Sequence, residues 1–276
     1  MKNLSLIFGA IVLASSVASC IEFSAPMKWR QEAYLLKYSP VSERYFTEGM
    51  MDASVDMLKI GFSKNIDVTM FGRSVMWTGM GKQAEDVIFD PRDMHYSLVD
   101  GFRGRVNNYF ITLNWYHDCF HEVDRMPETT FIWNIFELRF SPLTHLATER
   151  NEQIRKDSAT NFRLRPKLDW EFAFGILPRL HSIFWFQYMH PFTDRIEADL
   201  RLTFAEYSFA RMELRYQPTL WIEREGKTSQ RQYVEVATSY YGSKGTMSCF
   251  LGYVINETQP IRPKDELTSF GFRWEY

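Results

Sequence analysis

The clearest pattern in the chain is its last stretch, 269–276, which alternates strictly between polar or small side chains and aromatic ones. The odd positions carry Ser269, Gly271, Arg273 and Glu275, and the even positions carry Phe270, Phe272, Trp274 and Tyr276. A repeat of two residues places alternate side chains on opposite faces of a β-strand. The pattern therefore predicts a strand with one aromatic face and one polar face.

The same alternation recurs upstream in 196–204 and 211–217, where apolar positions alternate with charges of both signs. The segments 233–241 and 246–255 form a further pair, joined by 242–245, which has the composition and length of a hairpin connection. Other candidate strands are 56–62, 65–72, 74–81, 95–102, 108–116, 130–140, 168–175 and 182–188. Together they predict about ten to twelve strands.

The first twenty residues differ from all the others. Lys2 is followed by an apolar run from Leu4 to about Val17 and then by small residues, which is the pattern of an export signal peptide. Its end, Val17-Ala18-Ser19-Cys20, resembles a bacterial lipobox, in which Cys20 is lipidated; ordinary cleavage near Ala18 is the alternative. The expected division is 1–20 signal peptide, 21–54 tether, plug or first poorly patterned strand, and 55–276 barrel domain.

The amino-acid composition limits the classes of protein to which the chain can belong. Aromatic residues make up 16% of the 276 residues, yet the mean hydropathy is −0.30, which favours alternating surfaces over a continuous oily core. After residue 20 no stretch approaches the ~20 apolar residues of a transmembrane helix, so any membrane span must be made by strands. A formal charge of −2 gives no indication of a nucleic-acid partner. No cofactor motif is present, and Cys119 and Cys249 could form at most one disulfide.

Strands of ~9–11 residues with an apolar face and a charged face are typical of a transmembrane β-barrel, in which apolar side chains face lipid and polar ones face the interior. With the signal peptide and the terminal aromatic strand, the chain resembles Gram-negative outer-membrane β-barrel proteins. The resemblance implies an all-β, antiparallel up-and-down barrel in the bacterial outer membrane, in contact with its lipid. It also implies that the insertion machinery reads Phe270, Phe272, Trp274 and Tyr276. A secreted or periplasmic β-sandwich or lipocalin-like barrel is the alternative.

The charged positions of the later strands are expected to face the barrel interior. They are Asp199, Arg201, Arg211, Glu213, Arg215, Glu235 and Arg273. Because small barrels are largely filled by side chains, these charges predict a network of ion pairs, with a narrow selective pore as the alternative. The predicted function is accordingly structural or small-ligand binding at the cell envelope, with transport next and an envelope-lipid hydrolase as the enzymatic alternative.

Topology can be counted back from the last strand, which ends on the periplasmic side in such barrels. This count places 256–265, 221–230 and 189–195 outside and the short turns 242–245, 206–208 and 177–180 inside. It then places 141–166 outside and 117–128 on the periplasmic side, unless 141–166 contains a further strand that reverses the order.

The segment Trp115 to Arg125, WYHDCFHEVDR, has the densest cluster of candidate chemistry. On a helix, His117 and His121 would lie about 6 Å apart, close enough for one zinc ion, but the metalloprotease motif H-E-x-x-H has a glutamate where this chain has Asp118. If the preceding strand continues, the two imidazoles are ~13 Å apart and only adjacent pairs with Cys119 could chelate a metal. A polar loop or rim at the end of a membrane strand is the main expectation.

The same segment supplies candidates for lipid hydrolysis. His117 with Asp118 or Asp124 could form a base and its orienting group, with Cys119 as the nearest nucleophile. The spacing His-x-Ser, which resembles one group of lipid A deacylases, occurs at His95 and Ser97. Such short matches arise easily by chance, and the sequence favours a protein without enzymatic activity.

Overall fold

The computed structural model describes residues 21–82, 91–123, 129–143, 164, 166–178, 192–207, 209–242, 245–259, 261 and 263–276. No helix in these ranges is long and apolar enough to cross a membrane. The ranges contain thirteen β-strands: β1 Glu22–Ser24, β2 Lys28–Ser39, β3 Thr47–Ser63, β4 Ile66–Met80, β5 Pro91–Val106, β6 Tyr109–Glu122, β7 Thr129–Pro142, β8 Lys167–Ile176, β9 Phe192–Tyr207, β10 Ala210–Glu223, β11 Thr228–Gly242, β12 Gly245–Glu257 and β13 Thr268–Glu275.

Strands β2 to β13 form a closed ring of twelve antiparallel neighbours. Each strand pairs with the next one in the chain, and the ring closes where β13 pairs with β2, from Thr268 opposite Ser39 to Glu275 opposite Glu32. The short β1 pairs with the far end of β3 beyond the start of β2. The prediction of an all-β up-and-down barrel of about ten to twelve strands is thus confirmed, with twelve strands in the ring.

The barrel is apolar outside and charged inside. Leu113 and Leu251 point outward and are 57% and 54% exposed, whereas the inward Glu137 and Glu235 are each only 2% exposed. Alternation along each strand produces this division, because neighbouring side chains project to opposite sides of the sheet. A soluble sandwich or lipocalin-like barrel would have the reverse polarity, so that alternative is wrong.

The expectation that 21–54 is a tether or plug is wrong, because this segment contains β1, β2 and the first half of β3. Only the third alternative, a poorly patterned strand, describes it. The reason lies in Ala33-Tyr34-Leu35-Leu36, which has apolar residues on both faces. Tyr34 and Leu36 point inward, where they pack with Phe250 and the neighbouring apolar side chains, while Leu35 is exposed on the outside.

Three other strand boundaries differ from expectation. The candidates 65–72 and 74–81 are one strand, β4, because Gly72 and Arg73 continue the pairing with both β3 and β5. The strand predicted over 108–116 continues to Glu122 as β6. The candidate 182–188 lies outside the described residues, and β8 and β9 pair directly with each other.

The two ends of the barrel differ in the length of their connections. At the end that holds both β1 and Tyr276, called here the terminal end, four connections have two residues, 64–65, 107–108, 208–209 and 243–244, and one is long, 143–166. At the opposite, loop end lie 40–46, 81–90, 123–128, 177–191, 224–227 and 258–267. Because outer-membrane barrels have short periplasmic turns and longer external loops, this asymmetry assigns the terminal end to the periplasm.

This arrangement corrects the predicted topology in three places. The end of β6 and the start of β7, which flank 124–128, lie at the loop end instead of the periplasmic side. Leu177 and Pro178 also lie at the loop end, and the end of β7 and the start of β8, which flank the other long connection, lie at the terminal end. The error came from counting 182–188 as a separate ring strand, because one extra strand reverses every earlier assignment. The predicted sides of 206–208, 221–230, 242–245 and 256–265 agree with the structure.

The loop end of the interior is more apolar than the rest. Phe71, Val99, Tyr116 and Ile135 on the inner wall pack with Leu177, Phe192 and Ile261, and Phe120, Phe131, Trp133 and Trp221 surround them. Leu177 and Ile261 belong to connections, so parts of two loops fold inward at this end. The lumen therefore has an aromatic region towards the loop end and a charged region below it.

Candidate functional site

The barrel lumen contains a cavity with a volume of about 640 Å³. Ten arginine or lysine and eleven aspartate or glutamate side chains line it, together with Trp77, Trp133 and Trp221. The inward positions of the strands supply almost all of these groups, so the lining follows directly from the alternation in the sequence. Nearly equal numbers of opposite charges give an interior that is highly polar but has little net charge.

The predicted interior charges do face inward, and they form three local groups. Asp199 accepts hydrogen bonds of 2.8 Å from Arg215 Nε and Nη2 and one of 2.9 Å from Arg201 Nη2. Glu235 pairs with Arg273 through two hydrogen bonds of 2.9 and 2.7 Å.

The third group is Arg211 with Glu213, whose Nε and Oε2 atoms lie 2.7 Å apart. In all three groups the partners lie on the same strand, on neighbouring strands, or on strands one apart in the ring. The ion pairs therefore run along the wall and do not cross the lumen.

A further charge cluster is centred on Glu137, and it was not among the sites predicted from the sequence. Glu137 on β7 accepts hydrogen bonds from Arg139, from Arg195 on β9 and, at 2.8 Å, from the hydroxyl of Tyr116. Arg139 also pairs with Glu171 on β8. The sequence pattern could have predicted this cluster, because Glu137 and Arg139 occupy alternate positions of the predicted strand 130–140 and must therefore share a face.

Near the loop end, an aromatic group surrounds a buried acid. The indole of Trp77 stacks on the ring of His95 at 4.4 Å, and Trp133 Nε1 donates a 2.9 Å hydrogen bond to Asp118. His95 Nε2 lies 3.4 Å from Asp118 Oδ1, and Ser97, the other residue of the His-x-Ser match, is buried on the same inner wall. Polar hydrogen-bonding groups and flat apolar surfaces thus meet in one part of the lumen.

The connection 258–267 contributes to the same part of the lumen. Gln259, Ile261 and Lys264 line the cavity, and Lys264 Nζ donates to Glu48 on β3. The hydroxyls of Tyr34 and Tyr38 also donate to Glu48, at 2.6 and 2.9 Å. These bonds hold the inward part of the connection against the wall formed by β2 and β3.

The segment WYHDCFHEVDR is a strand as far as Glu122, not a polar loop, because residues 109–122 pair with β5 and β7 without a break. His117, Cys119 and His121 share the outer face, whereas Asp118 and Glu122 point inward. His117 and Asp118 therefore cannot form the expected base and orienting group. Asp124 lies outside the described residues.

The outer side chains of this segment bond to each other and to β7. Cys119 Sγ lies 2.9 Å from His121 Nε2, and His121 Nδ1 lies 3.0 Å from Thr130 Oγ1. His117 Nδ1 lies 3.1 Å from Asn134 Oδ1. In the described ranges no three His, Cys, Asp or Glu side chains are grouped to hold a metal ion, and Cys119 and Cys249 are both free thiols.

Comparisons with known proteins give likeness in general architecture only. No family model and no curated protein matches the sequence. The outer-membrane protein OmpT of Vibrio cholerae is 8% identical, with 93% of this chain and 97% of that chain covered and a TM-score of 0.38. The β-domain of the Bordetella autotransporter BrkA is 10% identical, with 93% and 99% covered and a TM-score of 0.37. A porin is 10% identical, with 92% and 100% covered and a TM-score of 0.33.

The class of protein follows from the closed ring of strands. Twelve antiparallel strands close without an edge, their outer face is apolar, and their inner face is charged. The chain is a transmembrane β-barrel with the fold of bacterial outer-membrane proteins.

Proposed function

We propose that the barrel binds a small polar solute in its lumen. The observation that carries this proposal is the cavity of about 640 Å³ lined by charges of both signs and by three tryptophans. Ligand pockets typically have volumes of roughly 300–1,000 Å³ and combine apolar surface with a few placed polar groups. The lumen has both properties.

The arrangement of the charges supports binding in preference to a purely structural filling. Each of the ion pairs Asp199–Arg215, Glu235–Arg273 and Glu137–Arg195 links side chains along the wall. Because the pairs hold their charges in fixed positions, a solute can meet ready-made donors and acceptors without reorganising the wall. The tryptophans near the loop end offer flat surfaces to a planar or apolar part of the same solute.

Intrinsic tryptophan fluorescence tests this proposal with three probes. Phenylalanine has a ring and both charges, benzoate has a ring and one charge, and glucose has neither. We expect a saturable change with phenylalanine that is stronger than with the other two and that disappears when Trp77, Trp133 and Trp221 are all replaced by Phe. The matched control replaces the outward Trp29 and Trp115 by Phe and should retain the response. Absence of a saturable change with all three probes would contradict lumen binding.

A narrow pore is the second candidate, and the extent of the cavity lining favours it. Arg30 and Glu275 line the cavity near the terminal end, and Glu257 and Lys264 line it near the loop end. Planar bilayer recordings should then show discrete conductance steps, which Lys264→Ala should enlarge by releasing the inward connection. A barrel that binds phenylalanine but shows no steps would be a binding protein and not a pore.

We further propose that the outward aromatic residues of β13 are recognised during membrane insertion. Phe270, Phe272 and Tyr276 are all exposed on the outer surface, so they are accessible before lipid covers them. Tyr276→Ala should reduce the amount of folded protein in outer-membrane fractions, whereas Tyr253→Ala on β12 should leave it unchanged. Equal amounts for both variants and the unsubstituted protein would contradict this role.

Export through residues 1–20 and lipidation of Cys20 remain proposals, because these residues lie outside the described ranges. Metabolic labelling with radioactive palmitate tests them directly. Lipidation predicts incorporation that Cys20→Ser abolishes and Cys249→Ser does not. An unlabelled protein would support ordinary cleavage near Ala18.

A further inference from the structure

We propose that Cys119, with His121 and Thr130, forms an acyl-transfer site on the outer face of the barrel that reacts with acyl esters of membrane lipids. Cys119 is the nucleophile, His121 is the general base, and Thr130 is a positioning residue for the imidazole. The site is separate from the lumen, since all three side chains lie on the other side of the β6–β7 wall.

The geometry is that of a nucleophile, a base and an orienting group. Cys119 Sγ lies 2.9 Å from His121 Nε2, and His121 Nδ1 lies 3.0 Å from Thr130 Oγ1. With the ring proton on Nδ1, the imidazole donates to Thr130 and leaves Nε2 able to accept the thiol proton. A nucleophile and a base within hydrogen-bond reach, with the base oriented by a third group, is the signature of covalent catalysis.

Strand pairing fixes these three groups in place. Cys119 and His121 are two positions apart on β6, so they project from the same face, and Thr130 lies directly opposite His121 on β7. The ring of Tyr96 on β5 meets the His121 ring edge-on, with the centroids 6.1 Å apart. The imidazole is therefore supported from both neighbouring strands.

The position along β6 indicates the substrate. Below the site, towards the terminal end, Ile111, Leu113 and Trp115 are exposed apolar residues of the lipid-facing band. Cys119 lies four residues beyond Trp115, which is ~13 Å along the strand and, at a tilt of ~40°, ~10 Å along the membrane normal. We place the boundary between hydrocarbon and polar headgroups at this level, because the outward side chains of β6 change there from apolar to polar. The ester carbonyls of lipids lie at that boundary.

Polar side chains on this part of the outer face distinguish it from ordinary lipid-facing surface. His117 and Asn134 bond to each other at 3.1 Å next to the site. Cys249 provides the contrast: it is another outward, half-buried thiol, but its neighbours across the strands are Thr238 and Phe272. Two cysteines on the same surface therefore differ in whether an imidazole lies within reach.

The reaction can be written with protons and bonds balanced. His121 Nε2 takes the proton of the thiol as Sγ attacks the ester carbonyl. The S–C bond forms, the C–O bond to the lipid breaks, and the leaving alkoxide takes the proton from His121. The acyl thioester on Cys119 is then attacked by water, which releases a fatty acid and returns the proton to sulfur.

The experiment uses the full barrel reconstituted in two kinds of vesicle, one of phospholipid alone and one that also contains lipopolysaccharide. Intact mass and peptide mapping should show one acyl chain on Cys119, removable by neutral hydroxylamine, together with released fatty acid. The mass of the chain identifies which lipid was the donor. Cys119→Ala should abolish both products, and Cys249→Ala should change neither.

The base and the positioning residue are tested separately. His121→Gln should slow acyl transfer by about 10²–10⁴-fold, the usual contribution of general base catalysis. Thr130→Val should slow it less and change its pH profile, and Thr130→Ser should restore both. Heat-modifiable migration on gels confirms that each variant is folded.

Alkylation of the thiols by iodoacetamide gives a measurement that needs no lipid substrate. Cys119 should react faster than Cys249, and His121→Gln should remove the difference. The absence of both an adduct and a Cys119-dependent release of fatty acid in both kinds of vesicle would overturn the proposal, as would an unchanged alkylation rate in His121→Gln. Neither result depends on solute binding in the lumen.

Discussion

The outer faces of β6–β7 and β12–β13 are built on the same pattern but carry different chemistry. On β12–β13 the outward positions are Met247, Cys249, Leu251, Tyr253, Phe270 and Phe272, all apolar or weakly polar. On β6–β7 the outward positions are apolar near the terminal end and then include His117, Cys119, His121, Thr130 and Asn134, with the apolar Ile132 opposite Cys119.

The inner faces behind these two regions show no such contrast. Glu235 with Arg273, and Glu137 with Arg139 and Arg195, are charge clusters of the same kind. Alternation therefore determines which side chains point outward, but it leaves open what those side chains do. A polar group on a surface that should face lipid is a departure from the pattern, and such departures are where function is expected.

The largest effect is expected on the inner faces. Arg273→Met leaves Glu235, buried and 2% exposed, without the partner of its two short hydrogen bonds. Loss of one partner of a buried pair costs about 3–5 kcal/mol of unfolding free energy. Arg139→Met should cost less, because Glu137 keeps Arg195 and Tyr116. Urea titrations in lipid vesicles measure the free energy of unfolding of both variants. Equal losses would mean that the remaining partners of Glu137 do not compensate for the loss of Arg139.

The next effect concerns the outer faces. Leu251→Arg places a charge on the lipid-facing side near the middle of β12, at a cost of about 2–4 kcal/mol. His117→Arg places the same charge in the polar part of β6, near the membrane interface, where the cost is about 0–1 kcal/mol. The same titrations compare them. If His117→Arg proved as costly as Leu251→Arg, the polar patch would lie at hydrocarbon depth and not at the interface.

The smallest effect on stability is expected within the proposed acyl-transfer site. Thr130→Val removes the hydroxyl that contacts His121, and the loss of a single hydrogen bond of this kind costs about 0.5–1.5 kcal/mol. The variant should remain a folded barrel in the same titration while its acyl-transfer rate falls. A large loss of stability would indicate that the polar side chains hold β6 to β7 and do not serve chemistry.

Much of the barrel could be predicted from the sequence because apolar and polar positions alternate along most of each later strand, with inward apolar residues such as Phe250 as exceptions. The inward positions of Asp199, Arg211 and Arg273 followed from period alone, and so did the outward aromatic face of β13. The first ring strand could not be recognised in this way. Tyr34 and Leu36 face inward but are apolar, since they pack against Phe250, and this removes the contrast between the two faces of β2.

The hydrogen bonds between side chains on different strands could not be predicted from the sequence, for a different reason. The contact of His121 with Thr130 depends on the register of β6 against β7, and the contact of Trp133 with Asp118 depends on the same register. Register is fixed by the pairing of whole strands and by the connections between them. A motif inspected along one strand, such as His117 with Asp118, instead joins residues that lie on opposite sides of the wall.

The junction of β2 with β13 has a consequence for how the barrel is made. It joins the first ring strand to the last over positions 32–39 and 268–275, and two backbone hydrogen bonds between Gln31 and Tyr276 extend it. The contacts Lys264–Glu48 and Tyr45–Pro263 add further links near its other end. Until β13 has been synthesised, β2 has no partner on that side and the growing sheet has an exposed edge. A chain shortened by a premature stop codon would therefore be an open sheet, prone to aggregation, and a substrate for envelope proteases instead of a smaller working barrel.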